Sequence, residues 1–275
     1  MNRFIPITAR PEAARTARRG IAALVAFLLY AYPLLIVLAA WELAGWADLV
    51  RPLFLPRVIG VAQQFWVLLR EGEIIDPLLV SLYRTFLGLA IAVVAGVMAG
   101  LLMARSKWVH WFLDPLISVG FPAPKIAFVP IFTLWFGIDH ISKILLVAFN
   151  CVFPMIVATY HGAASVSRVY IWSAEAMGTS ERAMLYRIVL PAALPHILSG
   201  IRVTVPVALI ITFTTEMIAG GGGVGAALMF AQRFFQTPTV FVYILVMLAT
   251  GLVFDRAMLV LRGRLIPWQD ESEEA

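Results

Sequence analysis

SAEAMGTSERAMLYRIVLPAALPHILSGI, residues 173–201, is polar and helix-prone in its first half and lies between two long apolar segments. Within it, Gly178 is followed by nine residues and then by Ile188-Val189-Leu190-Pro191. Proline suits the first turn of a helix and disfavours helical backbone in the residue before it. Leu190-Pro191 with Pro195 is therefore expected to stop one helix and start the next. Gly178 allows a sharp bend without a side-chain clash. These features predict that the segment 165–182 forms a short helix, lying across a membrane surface and able to sit in a groove of a partner. The alternative is an ordinary loop.

The flanking segments set the class. Of 275 residues, 61% are hydrophobic and 13% charged. Apolar runs longer than about 18 residues recur, enough to cross a hydrocarbon core of roughly 30 Å. Without water, only helices satisfy their backbone groups within one segment. The fold class is thus all-α, a polytopic membrane helical bundle of about six transmembrane helices: 21–45, 78–104, 112–136, 141–161, 195–219 and 239–262. Residues 1–20 form a basic N-terminal segment, 21–268 the membrane domain with its loop at 162–194, and 269–275 an acidic tail. The first apolar stretch follows Arg10, Arg15, Arg18 and Arg19 but has no clear small-x-small cleavage site, so it reads as an uncleaved anchor.

An even number of spans puts both termini on one side. That side receives Arg3, Arg10, Arg15, Arg18, Arg19, Arg105, Lys107, Arg168, Arg182, Arg187, Arg262 and Arg264; the other receives Arg51, Arg57, Arg70 and Arg233. Twelve against four makes both termini, and the 162–194 loop, cytoplasmic. The net charge of +5 follows from this bias and gives no nucleic-acid reading. Residues 46–77 lie outside, and apolar spacing within FLPRVIGVAQQFWVLLREG predicts a short interfacial helix.

Pro122, Pro124 and Pro130 interrupt the third span. Irregular backbone at membrane depth needs cover from protein or a water-filled cavity, so this span lines a pore or is a kinked helix packed on its neighbours. Gly96 and Gly100 form a G-x-x-x-G pair suited to helix packing. No catalytic signature is present. The chain has no G-x-x-x-x-G-K-[ST], and Gly220–Gly223 reads as a flexible turn on the outer side. Cys151 stands alone, and His110, His140, His161 and His196 are scattered at span edges, so no metal site is expected. Charges at membrane depth are functional candidates by default: Glu216, Arg84, Lys125 and Arg202. Glu216 could pair with Arg84 or Lys125 to hold a gate shut, or basic residues could line an anion path; a structural ion pair or a snorkelling side chain is the plainer reading.

The Gly178-x(9)-Ile188-x-Leu190-Pro191 spacing resembles the cytoplasmic coupling loop of ABC importer permeases, E-A-A-x(3)-G-x(9)-I-x-L-P. Ser81-Leu82-x-Arg84-x(3)-Gly88, the stretch FPAPKIAFVPIFTLWFGI from Phe121 to Ile138, Thr215-Glu216-Met217-Ile218-Ala219, Gly223-Val224-Gly225, and the terminal Arg264, Pro267 and Trp268 carry the resemblance further. Roughly residues 50–268 are similar to the nitrate, sulfonate and taurine importer permeases of the binding-protein-dependent transport group. The resemblance implies a type I, MetI-like permease in the bacterial inner membrane that forms the translocation path for a small solute. It implies a second permease copy, a pair of ABC ATPase subunits that bind ATP and Mg, and a periplasmic or lipid-anchored substrate-binding protein. No cofactor sits on this chain. Trp172, Glu175, Gly178, Arg182, Ile188, Leu190 and Pro191 would meet the ATPase; Arg84, Phe121, Lys125, Glu216 and Met217 would line or gate the path. The motif's leading glutamate falls at Trp172, and Glu175 stands three residues on, near the same helical face. The rival readings are an ATP-independent channel or secondary transporter and a membrane-embedded enzyme. No inverted repeat with paired broken helices favours the secondary transporter.

Overall fold

The computed structural model describes residues 32–47 and 49–265. The basic segment 1–20, the first part of the 21–45 span, the acidic tail 269–275, Pro267 and Trp268 lie outside the described residues. The chain divides into two compact units, residues 1–63 and 64–275. In the first, helix α1 (Tyr32–Trp46) carries Trp41, whose Nε1 donates to Pro56 O at 2.8 Å, and Glu42, which pairs with Arg57 at 2.9 Å and accepts from Val58 N at 2.7 Å. Helix α2 (Val58–Arg70) follows. At 13 residues it is a short apolar helix, as the spacing in 46–77 predicts.

The second unit is a helical bundle. Helices α3 (Ile75–Arg105) and α6 (His140–Ala164) are long and apolar enough to cross a membrane. So are α11 (Thr237–Leu265) and the run Glu181–Ala219, made of α8 (Glu181–Met184), a π turn (Leu185–Val189) and α9 (Leu190–Ala219). Between them lie α4 (Lys107–Gly120), α5 (Val129–Phe136), α7 (Arg168–Ala176) and α10 (Val224–Arg233). All described elements are helical.

Two sequence expectations need correction. The span expected at 112–136 is not one helix: Lys107–Gly120 and Lys125–Phe136 meet at 93°. Pro122 and Pro124 lack the N–H groups that would continue α4, while Pro130 falls in the first turn of α5, where none is needed. Nor do Leu190-Pro191 and Pro195 end a helix, since the backbone runs helically from Glu181 to Ala219. Leu190 N donates to Leu185 O, one residue further back than in an α-helix. That wider turn makes room for the Pro191 ring, which would otherwise strike the carbonyl of Arg187.

α6 is the most enclosed crossing helix and α11 the least. Small residues explain this. Gly88, Ala92, Gly96 and Gly100 recur every fourth residue on the buried face of α3. A Cβ added at Gly88 would stand 2.6 Å from Val147 Cβ, one at Gly100 would stand 2.7 Å from Thr159 Cβ, and one at Gly96 would overlap Met155. The Gly96/Gly100 pair read from sequence is therefore half of a four-residue stripe. Between lipid-solvated helices, close packing replaces the hydrophobic effect as the source of association, and such stripes let backbones approach. On its other side α6 meets α9 at Gly162, Ala193 and Gly200. Leu89, Leu146, Cys151, Val205 and Ala208 fill the shared core.

Gly96→Ala should lower the melting temperature of the purified protein, since overpacking costs about 1–3 kcal/mol. Gly251→Ala, where nothing lies within 4 Å, should not lower it. Equal melting temperatures for the two variants would contradict the packing assigned to the stripe.

Candidate functional site

Four chain segments meet in a buried polar cluster at one end of the bundle. α3 supplies Ser81, Arg84 and Thr85; the last turns of α9 supply Thr212 and Glu216; the Gly220–Gly223 turn and the start of α10 supply backbone groups. Arg84 is 1% exposed and Glu216 fully buried. Arg84 Nη1 donates to Glu216 Oε1 at 2.7 Å and to Gly222 O at 2.7 Å; Nη2 donates to Gly221 O at 2.5 Å, and Nε to His140 Nδ1 at 3.2 Å. The other carboxylate oxygen, Glu216 Oε2, accepts from Ser81 Oγ at 2.7 Å and Gly225 N at 3.1 Å. Ser81 Oγ in turn accepts from Val224 N at 2.9 Å. Thr85 Oγ1 donates to Thr212 Oγ1 at 2.8 Å.

The local geometry has a simple cause. α10 begins after a glycine that carries no side-chain cap, so its first N–H groups need acceptors from elsewhere. Ser81 and Glu216 provide them, and the carboxylate sits at the positive end of the helix. Gly220 to Gly223 all have positive φ, from 67° to 94°, a conformation that side-chain-bearing residues rarely adopt. A Cβ at Gly223 would lie on the Glu216 carboxylate. The turn expected to be flexible is thus pinned, because Arg84 holds two of its carbonyls.

The cluster settles which pair forms. Glu216 meets Arg84, not Lys125. Lys125 Nζ donates to Phe121 O at 3.0 Å and stands 4.9 Å from the Phe153 ring centroid. Arg84 and Glu216 face each other, and Glu216 also borders a cavity of about 260 Å³. Met217 is half-buried beside a cavity it shares with Gly220 and Arg233, Phe121 is exposed, and Arg202 is half-buried. Sequence reasoning missed Lys143. It is 1% exposed and donates to the carbonyls of Ile138 and Asp139. A lysine at the apolar start of α6 was the available signal. It also missed His140 as a partner of Arg84.

The 162–194 loop lies at the opposite end, reached by the far ends of α3 and α6. Ser167 Oγ accepts from Val169 N and starts α7. At its end Gly178, at φ 73°, donates to Glu175 O at 2.9 Å, and Thr179 N donates to Ala174 O at 3.0 Å. These two bonds form a glycine-terminated helix end that a β-branched residue would strain. Ser180 then starts α8. Val169, Tyr170, Trp172 and Met177 are each at least 60% exposed. Glu175, Arg182 and Pro191 are exposed as well, while Ile188 and Leu190 are half-buried. The short helix is shorter than the expected 165–182, because the Gly178 turn divides that stretch.

Architecture and composition define a polytopic α-helical membrane protein. Residues 92–267 match the model of the binding-protein-dependent transport system inner membrane component, and the chain belongs to this family. It is 32% identical over 238 residues to the putative aliphatic sulfonates transport permease protein SsuC of Bacillus subtilis, covering 86% of each chain. It is also 32% identical over 245 residues to the taurine transport system permease protein TauC of Escherichia coli, covering 87% of this chain and 89% of that one. A solved structure described as an inward facing conformation of the MetNI methionine ABC transporter superposes with a TM-score of 0.61 at 14% identity, over 73% of this chain and 96% of that one, and shows the same fold. The chain is therefore a permease component of an ABC importer.

Arg84→Met should destabilise the protein by about 3–5 kcal/mol, because it leaves the Glu216 carboxylate buried without its counter-charge. The double variant Arg84→Met with Glu216→Leu should recover much of that loss. Thermal unfolding of the wild type, Arg84→Met, Glu216→Leu and the double variant in one detergent checks the cycle; additive losses would contradict direct coupling.

Proposed function

We propose that this chain carries a small sulfonate, of the aliphatic sulfonate or taurine kind, inward across the bacterial inner membrane. It does so as one of two permease copies driven by a pair of separate ATPases. The substrate class rests on the SsuC and TauC relatives. The observation that carries the coupling is the exposed face of α7. Val169, Tyr170 and Trp172 project from a helix of nine residues that ends in a sharp glycine turn. An apolar, aromatic surface on a short rigid helix suits a partner groove.

In this reading ATP and Mg bind to the partner subunits, not to this chain. ATP draws the two ATPases together, and α7 follows. Trp172, Glu175 and Arg182 make the contact, Gly178 sets its angle, and Ile188, Leu190 and Pro191 pass the movement into α9. Glu216 and Arg84 keep the outer end closed until that movement reaches them. Met217, Phe121 and Lys125 flank the path. A periplasmic or lipid-anchored binding protein delivers the substrate at the outer end. The excess of basic residues in the 162–194 loop and near both termini supports a cytoplasmic location for them.

Purification of the complex from its native host through a tag on this chain should yield an ATPase in equal amount. Gly178→Val should abolish sulfonate uptake while the protein still inserts, since a β-branched residue in left-handed backbone costs about 1–3 kcal/mol. Wild-type uptake by that variant would defeat the coupling assignment.

A further inference from the structure

Lys143 is a buried charge outside the Arg84–Glu216 pair. It is 1% exposed and forms no ion pair among the described residues. Its place is unfavourable on two further counts. It stands in the first turn of α6, where the helix dipole is positive, and Arg84 adds a like charge nearby. A methionine there would avoid the cost of burying an ammonium. What the lysine gains is local. Helical side chains lean toward the N-terminus of their helix, so its ammonium reaches back to the carbonyls of Ile138 and Asp139, the second at 3.3 Å. Ser142 Oγ donates to the same Asp139 carbonyl at 3.2 Å. Both carbonyls belong to the loop 137–139, which joins α5 to α6.

That loop touches the glycine turn. A Cβ added at Gly221 would stand 2.5 Å from Ile138 O and 2.8 Å from Lys143 Nζ. Gly221 also gives its carbonyl to Arg84 Nη2. Two helices therefore hold the turn: α3 through Arg84, and α6 through Lys143 and the loop ahead of it. Each loop continues a cavity wall. α5, which the 137–139 loop follows, lines a cavity of about 460 Å³ with Pro130, Thr133 and Leu134. Gly220, at the start of the turn, lines the cavity of about 260 Å³. Ile218 and Ala219 line both, so the last turn of α9 is the wall between them.

We propose that Lys143 is a positioning residue of the outer closure: it fastens the loop after α5 to the glycine turn before α10, so that the outer end opens only when the two loops part together. This rests on the importer reading above and adds a second latch to the Arg84–Glu216 pair. Arg84 and Glu216 tie together α3, α9 and α10. Lys143 brings in α5, the half of the broken span that lies beyond the 93° bend. Movement of α5 against α9 thereby reaches the glycine turn. Gly221 is required twice over, by its φ of 78° and by the ammonium and carbonyl packed against it. Lys143 touches no substrate in this role. It acts through the two loops that it joins.

The test uses the complete transporter, this chain with its ATPase and binding protein, in lipid nanodiscs. Hydrogen exchange is followed at the Gly137 amide, bonded to Thr133 O at 2.9 Å, and at the Val224 and Gly225 amides after the turn. Lys143→Met removes the charge, and exchange at all three amides should rise together by about tenfold, the loss expected for a hydrogen bond to a charged group. ATP hydrolysis without binding protein should rise by about threefold or more, because one latch fewer opposes the open state. Lys143→Arg, which keeps the charge, should return both readouts toward wild type. Amides in the second half of α6 should keep their wild-type rates. A measurement on the wild type needs no variant: ATP with loaded binding protein should speed exchange at Gly137, Val224 and Gly225 in step. Faster exchange confined to Gly137, or unchanged hydrolysis in Lys143→Met, would overturn the latch alone. Exchange raised throughout α6 would show a general support instead and would also overturn it. A wild-type complex whose hydrolysis ignores the binding protein would defeat the importer reading itself, and the latch with it.

Discussion

The Arg84–Glu216 pair is the interaction on which the rest of the bundle depends. Two opposite charges, 2.7 Å apart and shielded from solvent, are tolerated only when their remaining donors and acceptors are satisfied. That requirement recruits Ser81, His140, two carbonyls of the glycine turn and the first amides of α10. The pair joins α3 to α9 and closes one end of the bundle in a single network. Because each member supports the others, the end is held as a unit rather than by separable contacts.

The network is possible because the helices stand close. The Gly88-Ala92-Gly96-Gly100 stripe brings α3 against α6, while Gly162 and Gly200 bring α6 against α9. With larger residues the three helices would spread, and the Arg84 guanidinium would no longer reach Glu216 and the 221–222 carbonyls together. Packing at mid-bundle therefore governs the polar chemistry at its end.

Long apolar runs made the crossing helices legible in the sequence, and Gly178 with its spacing to Pro191 located the surface helix and its turn. The charged residues at membrane depth identified Arg84 and Glu216 as candidates. Other features could not be read because they depend on tertiary contacts. Nothing local chooses Arg84 over Lys125 as the partner of Glu216; the approach of α3 to α9 does. Pro191 and Pro195 looked like a helix stop, and a wider π turn ahead of them lets the helix continue. The proline-rich span promised irregular backbone but not its 93° bend. Gly220–Gly223 looked flexible because a glycine run has no local restraint, and its restraint comes from Arg84, more than 130 residues away.

The two ends of the bundle have opposite characters: one closed by buried charge, the other carrying an exposed aromatic helix. The account stands on the claim that the buried cluster holds the glycine turn and the start of α10 in place. Hydrogen exchange of the Val224 and Gly225 amides in lipid nanodiscs tests it most directly. The account predicts slow exchange of both amides in the wild-type protein and much faster exchange in Ser81→Ala, which removes the acceptor of Val224. Exchange in the wild type as fast as in an open loop, or no change on removing Ser81 Oγ, would contradict it.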